Sequence, residues 1–222
     1  MLDGISMSGT AAGPSSSQVP TPNHHGDPLK EEREGKVREI GGQAVWSLSS
    51  CKPDKNMVSG NKQYARGLRV IMDCVVAGFG VEQLRDNCLE TYWQSDGPQP
   101  HLVNIQFRKK TTVKDVCIYA DYKLDESYTP NRIAIRCGTN FSDLRDVEMV
   151  ELNEPSGWVV IPLKGPVQTF LVQIAVLSNH QNGRDTHMRQ IKIHSPVVQT
   201  CMSALNLPPF TSIEMLSLSS IR

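Results

Sequence analysis

The sequence predicts an all-β fold, an antiparallel sandwich or jelly roll, and three observations predict it. Short strand-like runs recur from residue 102 onward, Gly and Pro punctuate the connectors between them, and no long segment of 3.6-residue period lies in the core. Helix is expected to be a minor component.

The elements follow in chain order. Residues 1 to about 35 are rich in Pro, Ser, Gly and charge and lack apolar periodicity, so they read as a disordered arm that buries too little to offset the entropy of ordering. "EIGGQAVWSLSSC" opens the folded part. "VEQLRDNCLE" offers at most a helical turn. "LVNIQF" alternates, with Val103, Ile105 and Phe107 on one face and Asn104 and Gln106 on the other. "VCIYADY", "RIAIRC", "EMVEL", "GWVVIPL", "TFLVQIAVL" and "RQIKIH" follow, rich in strand-forming residues. Their connectors carry Pro130, Gly138, Pro155 with Gly157, Gly165 with Pro166, and Gly183.

If each strand reverses the one before it, the connectors after the first, third, fifth and seventh strands share one end. Those after the first, third and seventh are the polar, longer ones: the segment closing "RDNCLETYWQSDGPQPH", then "KLDESYTP", then "SNHQNGRDTH". Loops at one end of a rigid sandwich are a natural binding surface. The inference requires "EMVEL" to be a strand.

A chain of 222 residues can hold one substantial core. With 23 basic and 23 acidic side chains, no sequence-wide field draws it to nucleic acid or an anionic membrane, so neither is an expected partner. No segment reads as a signal peptide or membrane span, and the six cysteines form no CxxC pair. A soluble protein in a reducing, intracellular setting is expected, with thiols such as Cys117 and Cys137 serving as small apolar side chains.

"LSNHQNGRDTHMRQIKIH", residues 177–194, concentrates amides, imidazoles and an acid between apolar runs. His180, Asp185 and His187 are near one another, yet no Gly-x-Ser-x-Gly elbow accompanies them, and no enzyme is expected. Loop chemistry around Gly183 is the plainer reading of Asp185 and Thr186. His24, His25, His101, His180, His187 and His194 fit no zinc motif, so no metal or cofactor is expected, while a calcium site of loop oxygens would leave little trace. Tyr92, Trp93, Tyr122 and Tyr128 would suit a carbohydrate face, which keeps a sugar-binding module as the alternative. Trp46, Trp93 and Trp158 read more readily as core anchors.

At "VREIGGQAVWSLSSCKP", "GFGVEQLRDNCLETYWQSDGPQPHLVNIQF", "IYADYKLDESYTP" and "IAVLSNHQNGRDTHMRQIKI" the chain resembles the Doc-domain subunit family of the anaphase-promoting complex, or cyclosome. The resemblance implies a galactose-binding-like jelly roll over residues 36–196, in a non-catalytic ubiquitin-ligase subunit of nucleus and cytoplasm. It implies capture of destruction-box substrates together with a WD40 propeller coactivator, promoting processive ubiquitination in mitosis. Ser127, Tyr128, Asn182, Gly183, Arg184, Asp185, Thr186 and His187 would form the degron surface. Neutral amides, a hydroxyl and an imidazole suit a peptide backbone. For Arg184 and Asp185, pairing with each other is as much the expectation as direct contact. In this family a terminal Ile-Arg tail docks on a tetratricopeptide-repeat scaffold, and here residues 197–222 form a tail ending in Ile221 and Arg222.

The family pattern runs from "SSCKP" directly into "GFGV", whereas residues 54–77 intervene here. A surface excursion, a lineage-specific contact and translated non-coding sequence are the three readings. The clean rejoining of the flanking blocks favours the last.

Overall fold

The computed structural model describes residues 27–52 and 79–197. Most of the expected N-terminal arm, the insertion at 54–77 and the tail with Ile221 and Arg222 lie outside the described residues. Of the arm, Pro28–Arg33 form a helix (α1), where no structure was expected. Asp27 explains it, since its carboxylate caps the Leu29 amide and Pro28 occupies the first turn, where a missing N–H costs nothing.

The rest is an antiparallel jelly roll. Strands β1 (Val37–Glu39), β2 (Ala44–Leu48), β4 (His101–Asp121), β5 (Pro130–Gly138), β6 (Arg145–Glu151), β7 (Ser156–Asn179) and β9 (Gln190–Pro196) run β1-β9-β4-β7-β5-β6, with β2 also on β4. A small ribbon pairs β3 (Trp93–Gln94) with β8 (His187–Met188). Among the described residues, helical structure beyond α1 amounts to α2 (Tyr122–Asp125) and short 3-10 turns, one of them Glu82–Leu84 inside "VEQLRDNCLE".

Two pairs of expected strands turn out to be continuous. "LVNIQF" and "VCIYADY" are the two halves of β4, and "GWVVIPL" and "TFLVQIAVL" are the two halves of β7. β4 and β7 pair along both halves, with register shifts between Gln106 and Thr111 and between Val113 and Asp115. At those bulges the ribbon turns over and serves both layers. The first half of β4 pairs with β2, and the second half with β9. Val103 and Ile105 from one half therefore share a core with Val116 and Ile118 from the other, joined by Ile133, Ile135, Ile161, Ile174 and Ile193.

Trp46 and Trp93 are in that core, the first donating its indole N–H to Gly41 O at 2.9 Å and the second to Ser50 O at 3.0 Å. Trp158 is not. It is half-buried on the outer face of the second layer, edge-on to Tyr119 and beside Lys192, because its neighbours Val159 and Ile161 take the inward positions. Cys137 packs in the core as expected, whereas Cys117 is buried among polar groups.

Since β4 and β7 each turn over, both ends of each return to one end of the sandwich. All four odd-numbered connectors meet there: Gln99 and His101 reach Gly183 and Arg184, His180 reaches Thr129, and Glu154 reaches His180. "EMVEL" lies in β6, as the parity argument required.

Candidate functional site

The loop after β7 is held from below by the last residue of β7 and by residues at and just before the start of β4. The Asn179 side chain, itself buried, donates to Gly183 O at 3.2 Å and to Asp185 O at 2.8 Å. His101 Nε2 is 2.7 Å from Arg184 O and Gln99 Nε2 is 2.9 Å from Gly183 O. Because a carbonyl only accepts, His101 carries its proton on Nε2. Ser95 exchanges two bonds with Thr186: its amide donates to Thr186 O at 3.1 Å and its hydroxyl accepts from Thr186 N at 2.8 Å. These contacts explain why "YWQSDG" and "NGRDTH" occur together, since β3 and β8 staple the first connector to the last.

At the loop tip Gln181 and Asn182 both have left-handed backbone, with φ of 51° and 56°. Such geometry is costly for two successive side-chain-bearing residues and marks a tip over-determined by its surroundings. Gln181 donates to the Tyr122 hydroxyl at 2.8 Å, and His180 holds Thr129 O through both its amide and Nδ1. Gly183 has an ordinary φ, but a Cβ there would sit 1.8 Å from Ser127 O. The two loops touch backbone to backbone, so Gly183 is needed for close approach.

His187 is stacked between two rings, Tyr128 nearly parallel at 4.3 Å and Tyr92 inclined by 27° at 4.2 Å between centroids. Its Nδ1 is 3.1 Å from Asp125 Oδ1, while Nε2 is buried without a partner. Asp125 also receives Arg189 Nε and Nη2, each at 2.8 Å, and Arg189 Nη1 reaches Leu89 O at 2.7 Å. Burial alone would raise the Asp125 carboxyl, but hydrogen bonds from His187 and Arg189 outweigh it and hold the group below its ordinary range. Arg189 is held above its own ordinary value, chiefly by its hydrogen bonds to Asp125. A buried, charged Asp–Arg pair thus fixes an imidazole that in turn fixes Tyr128.

The expected site residues divide into surface and frame. Asn182, Arg184 and Tyr128 are exposed, Ser127, Gly183 and Asp185 are half-buried, and all lie at the same end of the sandwich. Thr186 is corrected to a framing residue: it is fully buried and its hydroxyl donates to Tyr128 O at 3.3 Å. His187 is also mostly inside, with a side chain 11% exposed. Arg184 and Asp185 form no ion pair with each other. Of the aromatics that would suit a sugar face, Trp93 is fully buried and Tyr92 backs His187. Asp125, Arg189, Asn179 and His101 went unrecognised in the sequence. Arg189 left a signal, since in "RQIKI" strand alternation puts it on the same face as Ile191 and Ile193, where a charge needs a buried partner.

Comparison with known proteins follows this geometry. The family model described as anaphase-promoting complex, subunit 10 (APC10) matches residues 17–63 and 67–220. Anaphase-promoting complex subunit 10 of Homo sapiens is 56% identical over 200 residues, covering 88% of this chain and 94% of that protein. The Drosophila melanogaster protein of the same name is 58% identical over 182 residues, covering 80% and 81%. Among solved structures, the family 32 carbohydrate-binding module of Clostridium perfringens NanJ, in complex with galactose, superposes with a TM-score of 0.53 at 10% identity. It covers 72% of this chain and 99% of that one. An F5/8 type C domain from Bacteroides fragilis gives 0.51 at 13% identity, covering 73% and 98%. At such identities the likeness is one of fold, a galactose-binding-like jelly roll. With the family model matching most of its length and relatives 56% and 58% identical over 88% and 80% of it, the chain belongs to the anaphase-promoting complex subunit 10 family.

Proposed function

We propose that the chain is the non-catalytic, substrate-recognising subunit of its ubiquitin ligase, and that the clustered loop end captures destruction-box peptides jointly with a WD40 propeller coactivator. The carrying observation is the juxtaposition of exposed Asn182 and Tyr128 with half-buried Ser127 across the backbone contact at Gly183. An amide, a hydroxyl and a phenol are carried on these two touching loops, with the exposed charges Glu126 and Arg184 beside them, a set that suits a peptide's backbone and polar side chains. Gly183, Arg184 and Asp185 border the same surface. Thr186 and His187 serve it from beneath, His187 by holding the Tyr128 ring.

A surface this small binds one short peptide weakly, and a second receptor tethered in the same assembly makes weak capture useful by raising the effective concentration. That arrangement lengthens substrate residence and so favours processive ubiquitination in mitosis. Ile221 and Arg222 anchor the subunit to a tetratricopeptide-repeat scaffold, and the complex works in nucleus and cytoplasm. The test is crosslinking: a photoreactive residue at position 182, in the reconstituted ligase with coactivator, labels a destruction-box peptide and not its scrambled form. Equal labelling of both peptides contradicts the reading.

A further inference from the structure

Away from the loop end, Asp115, Cys117 and His194 bring three ligand atoms within 4.8 Å of one another, and all three residues are buried. β4 and β9 place them there: Asp115 and Cys117 are two apart on one strand and so share a face, and Asp115 is the register partner of His194. Their strand neighbours Val116 and Ile193 point the other way into the core. His194 Nδ1 is 2.7 Å from Asp115 Oδ1, and Cys117 Sγ is 3.5 Å from that oxygen and 3.6 Å from that nitrogen. His194 Nε2 is buried without a partner.

We propose that Asp115, Cys117 and His194 form a zinc site. In tetrahedral zinc, bonds of roughly 2.3 Å to sulfur and 2.0–2.1 Å to nitrogen or oxygen place sulfur about 3.5 Å from its neighbours. Both sulfur edges here already have that length. Only the Asp115–His194 edge, now a hydrogen bond, has to widen, by about half an ångström to the roughly 3.3 Å that the same bond lengths require. A thiolate, a carboxylate and a neutral imidazole also cancel the charge of a divalent zinc ion, and a neutral centre is what a buried site tolerates. The mixed sulfur, nitrogen and oxygen set suits zinc better than calcium or magnesium, which take oxygen. Three protein ligands leave the fourth position to water. The short helix α1 reaches this layer through the ion pair of Glu31 with Lys114, next to Asp115.

The test uses the full chain, free of any affinity tag and stripped with a chelator, titrated with cobalt(II) as the optical substitute for zinc. One equivalent is expected to give a thiolate-to-cobalt charge-transfer band with intense tetrahedral ligand-field bands. Zinc should displace both and raise the thermal midpoint. Cys117→Ser should abolish the charge-transfer band, and Asp115→Asn and His194→Gln should each weaken zinc binding at least about tenfold. Circular dichroism identifies any variant that fails to fold, and the conclusion then rests on the others. A folded wild type that shows no band, or a band that survives in Cys117→Ser, overturns the proposal.

Discussion

Replacing Gly183 with Ala isolates the contact on which the candidate surface depends. The backbone there has φ −57° and ψ 136°, so alanine meets no conformational penalty and should gain about 0.4–1 kcal/mol by restricting the unfolded chain. The opposing effect is steric. A Cβ would stand 1.8 Å from Ser127 O and 2.8 Å from Ser127 C, whereas ordinary contact begins at 3.4 Å, so the two loops must open by about 1.6 Å. That opening strains the bonds that Gln99 and Asn179 make to Gly183 O. Overpacking of this kind costs about 1–3 kcal/mol, leaving a net loss near 1–2 kcal/mol and a fall of roughly 2–8 °C in thermal midpoint for a domain of this size. Differential scanning calorimetry reads the midpoint, and peptide crosslinking at position 182 reads the surface. Because the obstacle is the backbone of residue 127, Ser127→Gly should not rescue Gly183→Ala. An unchanged midpoint and unchanged crosslinking, or rescue by Ser127→Gly, would refute the reasoning.

Further predictions concern Asp125, the loop tip and the C-terminal residues. Asp125→Ala leaves buried Arg189 without its counter-charge and should destabilise the domain by about 3–5 kcal/mol, measured by denaturant unfolding. The wild-type Asp125 carboxyl is held below its unfolded value, so its contribution is complete above about pH 4 and lost as pH falls through its folded value. Asp125→Asn should therefore flatten the pH dependence of stability in that acid window. Asn182→Ala puts alanine on a left-handed backbone that asparagine tolerates better and should cost about 0.5–1 kcal/mol, whereas His187→Ala removes a ring stacked between two tyrosines and should cost about 1–3 kcal/mol in the same measurement. Removing Ile221 and Arg222 should leave the thermal midpoint unchanged and speed dissociation from the assembled ligase, and equal retention of truncated and parent chains counts against the anchor.

The strands were legible in the sequence because an alternating apolar pattern reports directly on a sheet with one buried face, as in Val103, Ile105 and Phe107. Their continuity was not, since a bulge such as that between Gln106 and Thr111 looks like a turn when only the apolar runs are read. Loop parity nevertheless came out correctly, because a ribbon that turns over returns its ends to the same side as two separate strands would. Residue types singled out the loop after β7 as the candidate surface, but composition cannot separate a polar group that faces solvent from one that satisfies the frame. Thr186 and His187 fell on the inner side of that division and Asn182 on the outer. The Asp125–Arg189 pair is distant in sequence and becomes visible only in the fold. So does His194, which needs strand register to bring it to Asp115 and Cys117.

The most direct test of the central claim is substrate processivity in the reconstituted ligase carrying Asn182→Ala. The side chain of Asn182 is exposed and makes no bond that holds the loop, so the variant is expected to assemble and to lose only about 0.5–1 kcal/mol of stability at its left-handed backbone. Loss of about one hydrogen bond, roughly 0.5–1.5 kcal/mol, corresponds to a peptide leaving about two- to tenfold faster. The account predicts fewer ubiquitins added per encounter on a destruction-box substrate, with no change on a substrate lacking that element. Wild-type processivity on both substrates, from a fully assembled complex, would contradict it.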